Sequence, residues 1–261
     1  MINKVFIIPD VHGRKFWEEM KDHIDDDTID KFIFIGDYFD PYDDEAEYHS
    51  DDDCLSSFLE IMSIKEGHPD KVITLLGNHD IHYLYKNEYC SRHNDEREAE
   101  FSAVIKDNIN NLDLMYIDDI ECDNYDKVLF THAGLTSGFL KTFTRAGYPK
   151  DDLNALCSDV NAHLKALKTH ESHVLSDLML RVSRYRGGNY ADGSIVWADI
   201  REVVPNKFDY DNVYQIFGHT RAFFPTIMKR YAMLDTQECY IADFSERTIT
   251  NTNTKKVFPI L

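Results

Sequence analysis

Apolar residues recur along this chain in short unbroken runs, and five of the runs stop at a polar cluster. Val5-Phe6-Ile7-Ile8-Pro9 leads into Asp10-Val11-His12-Gly13, and Lys31-Phe32-Ile33-Phe34-Ile35 into Gly36-Asp37. Val72-Ile73-Thr74-Leu75-Leu76 leads into Gly77-Asn78-His79-Asp80. Lys127-Val128-Leu129-Phe130-Thr131 leads into His132-Ala133-Gly134, and Val213-Tyr214-Gln215-Ile216-Phe217 into Gly218-His219-Thr220. Runs of this length predict buried strands. Helical periodicity fills the spaces between them. Residues 14–23 read as a helix, and so do residues 51–66, with Leu55, Phe58, Leu59 and Met62 on one face. Residues 92–109 give another, acidic at its start and apolar at Phe101, Val104 and Ile105. Residues 151–183 read as one or two helices carrying Leu153, Leu156, Val160, Leu164 and Leu167. Two more strand-like runs, residues 231–234 and 240–244, are joined by a turn near the end. The alternation of strand and helix predicts an α/β fold.

The polar clusters carry the chemistry. In α/β sheets, ligands gather at the carboxyl ends of the strands. Five strands side by side would bring Asp10, His12, Asp37, Asn78, His132 and His219 to one edge. Oxygen and imidazole donors in that number suit a pair of divalent metals. A glycine lies in or beside each cluster, and glycine lets backbone approach a ligand closely. Any one cluster could be an ordinary turn. The signal lies in the repetition.

Asp-x-His-Gly, Gly-Asp, Gly-Asn-His-Asp, His-Ala-Gly and Gly-His-Thr, in this order over residues 10 to 219, resemble the calcineurin-like metallophosphoesterase superfamily. Gly36-Asp37-Tyr38-Phe39-Asp40 is similar to the GDxxD of the branch holding Ser/Thr protein phosphatases and symmetrical diadenosine tetraphosphatases. Gly218-His219-Thr220-Arg221 fits that branch too, because nuclease and cyclic-nucleotide branches often place a second His at the Arg221 position. Val196-Trp197-Ala198-Asp199 resembles its Trp-x-Asp. The resemblance implies two packed mixed β-sheets flanked by helices. It implies that Asp10 and His12 hold a first metal, that Asp37 bridges, and that Asn78, His132 and His219 complete a second site. A bridging group has to be anionic to hold two dications about 3.5–4 Å apart. The resemblance further implies that His79 is a general acid oriented by Asp40. A histidine of near-neutral pKa would suit that task. Asp80 is left as a turn support or a helix cap.

One position departs from the pattern. Where the phosphatases carry an arginine that grips phosphate, this chain has Pro41, which donates no hydrogen bond. Candidate replacements are Arg14, Arg184, Arg186, Arg201 and Arg221, with Arg221, Arg186 and Arg14 carried forward as substrate-binding residues. The basic, glycine-rich stretch over residues 181–189 reads either as a segment that closes over the site or as a capped helix end.

Composition narrows the picture. The chain has 28 basic and 47 acidic residues and a net charge of −19, which disfavours long nucleic acid as a substrate. With 43% apolar residues it can fill one core. The expectation is one metallophosphoesterase domain over residues 1–261, with a mainly helical insertion at about 139–192. No run is long enough to span a membrane, and the first residues pass directly into a strand with no signal-peptide pattern. Cys54, Cys90, Cys122, Cys157 and Cys239 are scattered and odd in number, which points to a reducing compartment, the cytoplasm, with no disulfide framework. The acidic residues over 43–53 read as a solvated loop running into a helix N-terminus. His163, His170 and His173 read as exposed helix residues.

The sequence therefore reads as an enzyme that hydrolyses a phosphorylated substrate, small molecule, nucleotide or phosphoprotein, at two divalent metal ions. Manganese is the first choice, with iron, zinc or magnesium as alternatives. The preferred substrate is a phosphomonoester, with Ser/Thr phosphoprotein as one form. The alternatives are a dinucleoside polyphosphate (Ap4A-type) hydrolase, a phosphodiesterase, and a non-catalytic metal-dependent phosphate-binding scaffold. A scaffold needs the metals but has no use for a poised acid at His79.

Overall fold

The structure, a computed structural model, describes residues 1–45, 49–85, 91–149, 151–168, 173–203 and 210–260. Its first half runs β1 (Lys4–Ile8), β2 (Lys31–Phe34), α1 (Asp51–Gly67), β3 (Val72–Leu75), α2 (Asn78–Ile81), α3 (Glu98–Asp107) and β4 (Leu112–Asp113). Then come β5 (Met115–Cys122), β6 (Tyr125–Thr131), α4 (Ser137–Arg145), α5 (Leu153–Lys165), α6 (His173–Met179) and α7 (Ile200–Val203). Last are β7 (Val213–Phe217), β8 (Thr226–Met228), β9 (Tyr231–Met233), β10 (Tyr240–Asp243), β11 (Thr248–Asn251) and β12 (Val257–Pro259). Expectations at Cys90, His170 and residues 46–47 fall outside the described residues.

The strands form two mixed sheets. Seven lie in the order β12-β11-β10-β1-β2-β3-β4 and five in the order β5-β6-β7-β9-β8. The five strands that end in the polar clusters are thus not side by side, as the sequence suggested. β1, β2 and β3 run parallel in the larger sheet, and β6 and β7 run parallel in the smaller. The division follows from burial. Strand side chains alternate between faces. Val5, Ile7, Ile33, Ile35, Ile73 and Leu75 pack with Val128, Phe130, Tyr214 and Ile216 of the smaller sheet. Phe6, Ile8, Phe32 and Phe34 join a second cluster with Phe58 and Ile61 of α1, Phe101 and Ile105 of α3, and Leu156 and Val160 of α5. Both faces of the central strands are apolar, so neither can be left to water.

Helix α1 starts at a capping box, with Ser50 and Asp53 exchanging side-chain and backbone bonds, and Asp51, Asp52 and Asp53 occupy its first turn. Its buried face is Cys54, Phe58, Ile61 and Met62, whereas Leu59, expected on that face, is exposed. The helix expected over 14–23 is a 3-10 helix, Phe16–Asp22, with Trp17 and Met20 buried. The helix expected over 92–109 is shorter, beginning at Glu98. The tail strands 231–234 and 240–244 do not form a hairpin. β9 pairs with β7 and β8, while β10 pairs with β1 and β11 in the other sheet. His163 is exposed, as expected. Among the described residues, no helix is long and apolar enough to cross a membrane.

Candidate metal centre

The loops leaving β1, β2 and β3 meet those leaving β6 and β7 where the two sheets adjoin. The His132 Nδ1 donates to the carbonyl of Ile35 across the sheets at 3.0 Å, and Gly218 N donates to the His132 carbonyl at 2.8 Å. Asp10 follows β1 and accepts from His219 N at 3.0 and 3.1 Å. His12 N donates to the Asp37 carbonyl at 2.7 Å, tying the β1 loop to the β2 loop. Asp37 Oδ1 in turn accepts from His79 N at 2.9 Å.

Two carboxylate–imidazole groups result, sharing Asp37: Asp10, His12 and Asp37, and Asp37, His132 and His219. All are at most 9% exposed, as is Asn78. The His132 Nε2 lies 3.0 Å from Asn78 Oδ1, 3.2 Å from His219 Nδ1 and 3.3 Å from Asp37 Oδ2. The His12 Nε2 lies 3.4 Å from Asp37 Oδ2. Donors about 2.1 Å from one cation and at right angles to each other lie about 3 Å apart, so this spacing suits coordination. Each outer nitrogen is already fixed. His12 Nδ1 donates to the Phe39 carbonyl at 2.8 Å and His132 Nδ1 to Ile35, which turns the other nitrogen of each ring inward, where it can offer a lone pair once unprotonated. The buried His12 Nε2 has no hydrogen-bond partner among the described residues. Gly77 and Gly218 make room. A Cβ at Gly77 would stand 2.1 Å from Asp37 Oδ1, and one at Gly218 would stand 2.1 Å from Asp10 Oδ1. The donors and spacing of these six residues therefore fit divalent metal.

Electrostatics reflect the crowding. Burial raises the Asp10 carboxyl, and the nearby Asp37 charge adds to the rise. Burial works the same way on Asp37, but His132 and His79 outweigh it and hold Asp37 well below its ordinary value. Burial opposes charge on His132, yet Asp37 and Asp10 prevail and lift it to about 9. Burial and the neighbouring Arg186 and His132 push His219 well down.

Beside this cluster stands a second one. The His79 Nδ1 donates to Asp40 Oδ2 at 2.7 Å. The same oxygen lies 2.7 Å from His82 Nε2, and Asp40 Oδ1 accepts from the Tyr83 hydroxyl. Hydrogen bonds from His79 and His82 keep the Asp40 carboxyl well below the carboxylate range against the pull of burial. Burial lowers His79 to about 4 despite Asp37 and Asp40. The His79 ring meets His12 edge-on with centroids 5.1 Å apart.

Asp80 has a larger part than a turn support. It is fully buried, and its two oxygens accept from the amides of Asp37 and Gly77 (Oδ2) and Tyr38 (Oδ1), each at 2.8 Å. It thereby locks the β2 loop to the turn that carries Asn78 and His79. Among the described residues, eight that are not glycine adopt positive φ, and His12, Asp37, Asp40, Arg92 and His219 are five of them. Such backbone costs about 1 kcal/mol or more per residue and collects at functional sites.

The arginines sort into held and unheld. Arg14 is buried and bound by Glu45 at 2.7 and 3.2 Å. Arg221 is held by Glu45 at 2.8 Å and Asp44 at 3.2 Å, so these acidic residues organise arginines as well as facing solvent. Arg186, on a 3-10 turn closed by Gly187 at φ 84°, reaches Asp199 at 2.9 Å and Thr220 at 2.5 Å. Arg201 also pairs with Asp199, and Arg184 is exposed. Trp197 packs edge-on against His219 with centroids 5.9 Å apart. Arg92, which the sequence reading passed over, donates to His79 Nε2 at 3.0 Å.

The calcineurin-like phosphoesterase family model matches residues 4–221, a span that takes in all six of these residues. The chain belongs to this family. It is a metal-dependent phosphoester hydrolase. Among solved structures it is similar to a Saccharomyces cerevisiae protein serine/threonine phosphatase with similarity to human phosphatase PP5, at 15% identity and TM-score 0.46, covering 92% of this chain and 73% of that one. It is also similar to a putative diadenosine tetraphosphatase, at 15% identity and TM-score 0.42, covering 99% of this chain and 93% of that one. No curated protein matches it in sequence.

Proposed function

We propose that this hydrolase acts on phosphomonoesters, with Ser/Thr phosphoprotein as one form of substrate and with His79 as general acid. The observation that carries the proposal is the Asp40–His79 pair, hydrogen-bonded at 2.7 Å and set against the metal-ligand cluster through the bond from His79 N to Asp37. Asp10 and His12 would hold one divalent ion, Asn78, His132 and His219 a second, and Asp37 both. Bound there, the ions would supply an activated water as nucleophile and positive charge to offset the phosphoryl oxygens. Asp40 fixes the His79 ring through Nδ1, so Nε2 is the nitrogen that would hand a proton to the departing alkoxide once Arg92, which donates to it at 3.0 Å, has turned to the substrate. His82 and Tyr83 fix Asp40 in turn. A leaving group held by one ester bond needs such an acid most when its own pKa is high.

A dinucleoside polyphosphate substrate is the second reading, favoured by the arginines gathered at Tyr42. Initial rates on para-nitrophenyl phosphate and its bis-ester, with added manganese and an EDTA control, test the proposal. Faster monoester cleavage that EDTA abolishes supports it. Preference for the bis-ester would overturn the monoester assignment in favour of diester chemistry.

A further inference from the structure

Three guanidinium groups gather on one ring. The carbons at the centre of Arg92, Arg221 and Arg14 lie 3.9, 4.4 and 4.9 Å from the centroid of Tyr42. Tyr42 itself packs edge-on against the ring of His12, with centroids 4.8 Å apart. The three arginines differ in how their charge is met. Glu45 binds both Arg14 and Arg221, and Asp44 binds Arg221 as well. Arg92 has no carboxylate partner among the described residues. Its bonds go to the Asp40 carbonyl at 2.7 Å and to His79 Nε2 at 3.0 Å. A backbone carbonyl and an imidazole nitrogen supply no negative charge to balance its own. It is half-buried and held in a left-handed backbone at φ 64°. A planar guanidinium stacked on an aromatic ring keeps its edge free for a forked contact with an anion.

We infer that Arg92, seated on Tyr42, is the residue that grips the phosphoryl oxygens of the substrate, while Arg14 and Arg221 are tethered positioning groups that frame the Tyr42 seat. This rests on the proposed phosphoester chemistry at the same site. Arg92 touches the nitrogen of His79 from which the leaving group would take its proton, so an anion bound to it lies next to that nitrogen. Its charge is uncancelled where a dianion would arrive, whereas Glu45 and Asp44 already satisfy the other two. The tyrosine orients the guanidinium plane and shields one of its faces from water.

The test uses the manganese-loaded protein and inorganic phosphate as the probe, measured by calorimetric titration and as an inhibitor of para-nitrophenyl phosphate cleavage. Arg92→Ala should weaken phosphate binding about 10- to 100-fold, the loss expected for charge-assisted hydrogen bonds. Metal content should be unchanged. Arg92→Lys should recover only part of the loss, because an ammonium keeps the charge without the fork. Arg145→Ala, which removes an exposed charge on α4, should leave binding as it was. Unchanged phosphate affinity in Arg92→Ala, with wild-type protein binding phosphate, would overturn the inference and leave the phosphoesterase reading standing. Full recovery in Arg92→Lys would overturn the forked grip. Failure of the loaded wild-type protein to bind phosphate would instead overturn the reading beneath it.

Discussion

Replacing Asp80 separates a structural lock from an ordinary helix end. The side chain is fully buried, and three main-chain amides (Asp37, Tyr38 and Gly77) donate to it at 2.8 Å. Burial and the Asp37 charge raise its carboxyl well above the usual range, and the amide donors pull against that rise. Asp80→Ala strands all three amides. An orphaned buried donor costs about 1–3 kcal/mol, so the loss is about 3–6 kcal/mol with some relaxation. That is a large share of a typical folding free energy of about 5–15 kcal/mol. For a chain of this size it corresponds to a fall in melting temperature of roughly 10–20 °C. Asp80→Asn keeps the shape and one oxygen. Turned to serve Asp37 and Gly77 through that oxygen, its NH2 faces the Tyr38 amide, donor against donor, and the cost is about 2–4 kcal/mol. Were Asp80 only an acidic residue near the start of α2, either change would cost about 0.3–1 kcal/mol. Thermal melts in EDTA exclude any stabilisation by bound metal, and metal titration of the same variants reads the Asp37 geometry. Melting temperatures within about 3 °C of wild type for both variants, with metal affinity intact, would refute the reasoning.

The remaining expectations concern proton traffic and metal. His79→Asn should keep its metal content while losing about 10²- to 10⁴-fold in turnover on esters of poor leaving groups, and much less on activated aryl esters; equal losses on both would remove the acid role. His132, raised from 6.5 to about 9 by Asp37 and Asp10, must shed its proton to bind a metal, so affinity should climb about tenfold per pH unit between pH 7 and 9. A titration series showing flat affinity over that range would contradict this. The same shift sets the stability of the metal-free protein. The His132 contribution is complete below pH 6.5 and fades as pH rises through about 9, which denaturant melts in EDTA at pH 6.5 and 9.5 should register as a loss at the higher pH.

Much of the candidate centre was legible because the residues gathered there end strands. Asp10, Asp37, His132 and His219 each follow a buried run, and buried runs announce themselves through unbroken apolar sequence. The sharing of strands between two sheets was not legible from pattern alone, since a strand buried on both faces reads the same in either sheet. β5 went unseen because Asp118, Asp119 and Glu121 break its apolar pattern and its pairing shifts between Asp119 and Cys122. β8 and β12 are three-residue edge strands with no buried side chain. Arg92 and Tyr42 were missed for a different reason. Neither sits at a strand end. The fold alone brings Arg92 over Tyr42, next to Pro41, which stands where the resembling phosphatases carry an arginine. His82 and Tyr83 reach Asp40 by the same fold-dependent route. Glu45 looked like part of a solvated acidic run and instead holds two arginines.

The central claim is that catalysis runs on two metals shared through Asp37. The direct measurement is activity on para-nitrophenyl phosphate as manganese is added back to EDTA-stripped protein, with bound metal counted per chain. The account expects activity to saturate as the second equivalent binds, and Asp37→Asn to lose both the metal and the rate. Full activity at one equivalent, or two metals retained in Asp37→Asn, would contradict it.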